Sequence, residues 1–95
     1  MRVSVLALAA LLAGCATGTV EVKRQQALLL RPGAEATLRV DCPPGRLAVS
    51  AKPKAGSTFV VSESRAEAAD VWWVTFANPT DADVREEVSI RLACR

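Results

Sequence analysis

The stretch Glu87-Val88-Ser89-Ile90-Arg91-Leu92-Ala93-Cys94 decides the fold class. Val88, Ile90, Leu92 and Cys94 take every second position, and Glu87, Ser89, Arg91 and Ala93 fill those between. Successive side chains of an extended strand point to opposite faces, so this spacing separates an apolar set from a mostly polar one. A helix, with its period of about 3.6, would mix the two sets. The same alternation recurs upstream. Leu38, Val40 and Cys42 stand against Thr37, Arg39 and Asp41, and Leu47, Val49 and Ala51 stand against Arg46, Ala48 and Ser50. Phe59–Val61 and Val71–Phe76 read as two further strands, and Ala27–Leu30 as another. Glu63–Ala69 is the one helical candidate, rich in alanine but short and without an apolar stripe. Turn-forming groups punctuate these runs roughly every ten residues, the rhythm of an all-β domain. They are Arg31-Pro32-Gly33, Pro43-Pro44-Gly45, Pro53-Lys54-Ala55-Gly56 and Asn78-Pro79-Thr80-Asp81. The expected fold is all-β, a small β-sandwich or partly open barrel of about six strands.

Composition limits what such a domain does. The chain has 95 residues, 12 basic against 10 acidic, with no histidine and only 4% aromatic side chains. A net charge of +2 argues against a nucleic-acid surface, which needs a clustered basic face. Without histidine the chain lacks the side chain that most readily serves as a base near neutral pH and as a metal ligand. Four aromatic residues also make a thin core, so packing needs reinforcement.

The first fifteen residues, MRVSVLALAALLAGC, differ from all that follows. Arg2 precedes an apolar run from Val3 to Leu12, a length that fits a signal peptide and falls short of the ~20 residues needed to span a bilayer. Leu12-Ala13-Gly14-Cys15 matches the lipobox at every position, and here the sequence resembles a bacterial lipoprotein. The resemblance implies diacylglycerol on the Cys15 sulfur, cleavage between Gly14 and Cys15, and acylation of the new amino terminus; no other cofactor is expected. Two or more acyl chains give stable anchoring where one is marginal. Ala16, in place of the aspartate that tends to retain family members at the inner membrane, favours the outer membrane facing the periplasm where the cell is Gram-negative. The expected organisation is a signal peptide over 1–14, a lipidated cysteine and short tether over 15–19, and a β-domain over 20–95.

With Cys15 assigned to lipid, Cys42 and Cys94 remain in an exported, oxidising compartment with a single possible pairing. Both fall on the apolar faces of their strands, so a structural disulfide between them is expected. Cys42 and Cys94 are 52 positions apart, and closing a loop of that length stabilises a domain by about 4 kcal/mol in the chain-entropy model. The order Cys42-Pro43-Pro44-Gly45, Trp72, Cys94 is similar to small exported disulfide-bonded β-domains of unassigned function, and the strand Leu38–Cys42 is immunoglobulin-like in style. That resemblance implies a tryptophan packed on an inter-sheet disulfide, a role for Trp72, and it implies no catalytic residue.

Trp72 and Trp73 must face opposite ways on one strand. Trp72 shares its face with Val74 and Phe76 and is the core candidate; Trp73 is left as a contact point for a partner. Lys52 and Lys54 flank Pro53 in an expected loop, where they would meet anionic headgroups brought near by the short tether. Asn78, Asp81 and Asp83 lack the Asp-x-Asp-x-Asp-Gly pattern of a calcium loop. Glu86 and Glu87 point to opposite faces, so they do not form a carboxylate pair, and no serine has a histidine partner. These residues point to a lipid-anchored envelope protein with a non-catalytic β-domain in a structural or partner-binding role, bound to the membrane through its lipid and possessing no nucleic-acid site. The alternative is a small inhibitor or exclusion lipoprotein, similar to the lipid-anchored lysozyme inhibitors, although the loop motifs of that group are not recognisable in this chain.

Overall fold

The computed structural model describes residues 18–95, so the expected signal peptide, including Gly14, and the lipobox Cys15 lie outside the described residues. Strands β1 (Val20–Leu30), β2 (Glu35–Asp41), β3 (Ala48–Lys54), β4 (Val60–Ala68), β5 (Val71–Ala77) and β6 (Val84–Cys94) follow one another, and no helix occurs among the described residues. They form two antiparallel three-stranded sheets, ordered β1-β6-β3 and β2-β5-β4, which stack as an open sandwich rather than closing into a barrel. Only β4 and β5 are joined as a hairpin within one sheet; the other connections cross between the sheets.

β6 and β5 occupy the central places of the two sheets. β6 runs down the middle of its sheet, with Val88, Ile90, Leu92 and Cys94 each at most 1% exposed. β5 is central in the other sheet and turns Val74 and Phe76, both fully buried, toward them. Leu28, Leu30, Leu38 and Val40 fill the space between the sheets, and Trp72 packs against this cluster as a partly buried member. Two Pro-Gly turns carry the chain across. In each, proline sits second and glycine third: Ala34 N donates to Arg31 O at 2.9 Å and Arg46 N to Pro43 O at 3.1 Å. Gly33 and Gly45 have φ of 72° and 81°, the left-handed value a type II turn requires at that position.

The sheets share no backbone ladder, so three side-chain devices join them. Cys42 and Cys94 form the expected disulfide, with Cα atoms 5.9 Å apart, linking the end of β2 to the end of β6. At the opposite end, Asn78 is fully buried. Its amide donates to Leu30 O at 2.9 Å and Ala82 O at 2.8 Å, while its Oδ1 accepts from Thr80 N at 3.0 Å and Thr80 Oγ1 at 2.7 Å. Every hydrogen-bonding capacity of that side chain is used, as a buried amide requires. Between the two ends, Arg24 projects inward from edge strand β1, donates to the Arg39 carbonyl on edge strand β2 and holds Gln26 Oε1 at 2.8 Å, spanning the open side.

Four sequence expectations need correction. The helical candidate 63–69 is strand β4 instead. Its alanines and glutamates have low strand propensity, but pairing with the strongly β-forming Val71–Phe76 overrides local preference. Lys52 and Lys54 lie on strand β3, not in a loop; β3 is an edge strand, where the missing N–H of Pro53 is tolerated. Leu47, Val49 and Ala51 do not share a face. A register shift between Ala48 and Ser50 inserts a bulge, which turns Ala48 and Ala51 inward and leaves Leu47 and Val49 49% and 51% exposed. The first strand begins at Val20 rather than Ala27, because Arg24 and Gln26 occupy inward positions that the apolar pattern does not mark.

Reducing the Cys42–Cys94 bridge, or replacing both cysteines with alanine, is expected to lower unfolding free energy by about 4 kcal/mol, read as a fall in the urea midpoint. Asn78→Ala strands the Leu30 and Ala82 carbonyls and is expected to cost about 3 kcal/mol in the same measurement.

Candidate functional site

The outward side of the β2-β5-β4 sheet is built around Trp73. Strand register sets Trp73 directly between Arg39 on β2 and Arg65 on β4. Its neighbours along β5, Val71 and Thr75, are buried at 7% and 8% exposure although they face away from the main core. A second, shallow layer covers them. The Arg65 guanidinium lies 5.0 Å from the Trp73 ring centroid, within cation–π range. Arg65 is held there by two carboxylates of its own strand, Glu63 at 3.0 Å and Glu67. On β2, Arg39 pairs with Asp41 at 2.8 Å, and Thr37 Oγ1 meets Thr75 Oγ1 at 2.8 Å.

These pairings hold both guanidiniums in their charged form. The pKa of Arg65 is raised by its hydrogen bonds to Glu67 and then Glu63, and that of Arg39 by its hydrogen bond to Asp41. Both arginines are exposed, so their ion pairs contribute little to stability. The importance of the Arg65 pairings is positional: they lay a planar cation over an indole. Trp73 Nε1 is shut off from solvent without an acceptor among the described residues, whereas Trp72 Nε1 donates to Ser64 Oγ at 2.9 Å. Trp73 therefore sits on the outer face, as the alternation requires, but half-buried beneath Arg65.

The other outward side has the opposite character. Lys23, Lys52, Lys54, Arg85 and Arg91 are exposed on the β1-β6-β3 sheet against Glu21 and Glu87. Arg91 pairs with Glu21 at 3.0 Å. Lys54 lines a shallow groove of about 330 Å³ with Lys23, Gln25, Ser89 and Arg91. On the Trp73 side, Glu35, Asp41, Glu63 and Glu67 outnumber Arg39 and Arg65. The two faces of the sandwich thus carry opposite net charge, a separation hidden in an overall charge of +2.

The remaining candidates resolve into structural roles. Asn78 is the buried latch already described, while Asp81 and Asp83 are exposed in the loop beyond it. Glu86 and Glu87 do face opposite ways. Glu86 turns inward and accepts from Thr58 N and Phe59 N, both at 2.8 Å, capping the loop between β3 and β4. Among the described residues, no three histidine, cysteine, aspartate or glutamate side chains gather in a metal-binding arrangement. The sequence reading missed Arg39 and Arg65 as the flanks of Trp73. The period-two alternation of Glu63, Arg65 and Glu67 was the available signal.

No protein-family model matches the chain, and neither a curated protein nor a solved structure matches it.

In a Trp72→Phe background, where Trp73 alone fluoresces, Arg65→Ala is expected to shift emission to the red and raise acrylamide quenching severalfold. Unchanged quenching would mean that Arg65 does not cover the ring.

Proposed function

We propose that this chain is a lipid-anchored envelope protein whose β-sandwich acts without catalysis, as a structural or partner-binding module. The observation that carries the reading is the division of its three cysteines. Cys42 and Cys94 are paired across the sheets, which suits an oxidising, extracytoplasmic setting, and Cys15 stands alone at the end of a lipobox. Under this reading Cys15 bears the diacylglycerol and N-acyl chains, cleavage falls after Gly14, and Ala16 favours the outer membrane of a Gram-negative cell.

The Trp73 face is the contact site for a protein partner. A half-buried indole covered by a displaceable arginine offers a large apolar surface with a flanking cation, and tryptophan and arginine together dominate binding hot spots. A partner carboxylate that draws Arg65 away would expose the ring and its unpaired N–H in one movement. Lys52 and Lys54, on the basic face, would meet acidic groups instead.

Cells fed radiolabelled palmitate are expected to label the wild-type protein and not Cys15→Ala, which would leave the membrane fraction; an unlabelled wild type overturns the anchor. Crosslinking in intact cells is expected to give a partner band lost in Trp73→Ala, and identical profiles would remove Trp73 as the contact.

A further inference from the structure

The end of the sandwich that receives the N-terminal segment carries an apolar patch with two cations at its rim, and we infer that this end seats directly on the lipid surface. The inference rests on the anchored reading above and adds an orientation to it. Leu47 and Val49 are 49% and 51% exposed, a consequence of the β3 bulge. With Ala48, Ala69 and Arg95 they line a shallow recess of about 390 Å³. Backbone hydrogen bonds between Leu47 and Arg95, at 2.8 and 2.9 Å, fix the patch to the end of β6.

The position of the incoming chain says what covers this patch. Val20 pairs with Cys94, so β1 starts at this same end, and Arg46 Nη1 donates to Gly18 O at 3.0 Å. Cys15 is three residues before Gly18, a span of at most about 11 Å even when fully extended. On the anchored reading, acyl chains on Cys15 enter the bilayer no more than about 15 Å from the Arg46 guanidinium, which brings Leu47 and Val49 to the interface rather than open water. Arg46 and Arg95 suit the phosphates of the headgroup layer, since long cationic side chains keep their stems in apolar surroundings and their charge at the polar boundary. The acidic groups at this end are Asp70 in the β4–β5 turn and Glu21, Asp41 and Glu67, of which the last three are paired with Arg91, Arg39 and Arg65.

End-on seating makes a distinguishable prediction against a domain lying on its basic face. Leu29 is exposed on the outward side of that face near the far end of β1, roughly 30 Å from Val20 by strand rise. Full-length lipidated protein carrying Leu47→Trp, Val49→Trp or Leu29→Trp is reconstituted into vesicles of brominated phosphatidylcholine and phosphatidylglycerol, with the wild-type Trp72 and Trp73 giving the baseline. The added tryptophan at 47 or 49 is expected to be quenched at least twofold more than the baseline, and that at 29 no more than the baseline. Equal quenching at 29 and 47 means the domain lies on its β1-β6-β3 face and overturns end-on seating. A tryptophan at 47 that escapes bromine but is also shielded from acrylamide is covered by protein, and overturns it as well. Protein that floats with the vesicles yet shows no bromine quenching at 47 or 49 retains the anchor and loses the seating. Protein that neither floats nor carries palmitate loses both. Val49→Trp guards against a local distortion at Leu47, and the far-ultraviolet dichroism of each variant confirms the fold.

Discussion

Two sheets that share no backbone ladder, only the single bond from Ala48 N to Ala69 O at 2.8 Å, must be held together chiefly by side chains, and that constraint shapes this molecule. Six of the twelve buried core residues lie on the inner faces of β5 and β6. A domain of this size buries only about 60% of its unfolded surface, which leaves a narrow margin of stability. The chain meets the constraint by fastening both ends. A covalent bridge joins Cys42 to Cys94 at one end, and a fully hydrogen-bonded amide at Asn78 ties β1 to the β5–β6 loop at the other. Arg24 crosses the open side between these two points. The fastenings differ in kind because their settings differ: the disulfide lies at strand ends with apolar flanks, whereas Asn78 lies where two chain reversals leave carbonyls to be satisfied.

With the interior committed to cohesion, chemistry is left to the outward faces. One is basic around Lys23, Lys52 and Lys54, and the other is acidic around an indole capped by arginine. In the proposed end-on seating, both faces would stand clear of the membrane and be open to neighbours of opposite charge. The same disulfide that stabilises the sandwich also stiffens the end where β1 begins, since Val20, Cys94 and Leu47 are all joined there through β6 and its continuation.

The fold was legible where burial is one-sided and regular. β2 and β6 follow the period-two pattern, the Pro-Gly turns mark their own positions, and the two inward cysteines specify their bridge. Legibility failed where an element takes its conformation from a neighbour. The start of β4 at Val60 and Val61 was readable as strand, but the strand is exposed along its whole length, so no apolar pattern identifies the rest, and its strand form there comes from β5. The β3 bulge inverts the face assignment of Leu47 and Val49, since one extra residue changes the parity of every position before it. The polar half of β1 is inward because Arg24 spans the gap between the sheets, a role no single-strand pattern encodes. For the Trp73 face, the tryptophan and its side of the strand were readable. Its arginine flanks depend on cross-strand register and were not.

The exposed edge strand β4 bears on how copies of the chain coexist. Molecules confined to a surface meet one another far more often than molecules in solution, and an unguarded sheet edge in that setting invites lateral growth into ribbons. Here the edge is irregular, with register shifts at Val61/Glu63 and Ala66/Ala68, and it alternates Glu63, Arg65 and Glu67 along one side. Antiparallel stacking of two such edges would break the carboxylate–guanidinium triads and mismatch the bulges. On the proposed anchoring, the arginine that shields Trp73 would therefore also help keep a crowded, two-dimensional population of these domains as separate particles.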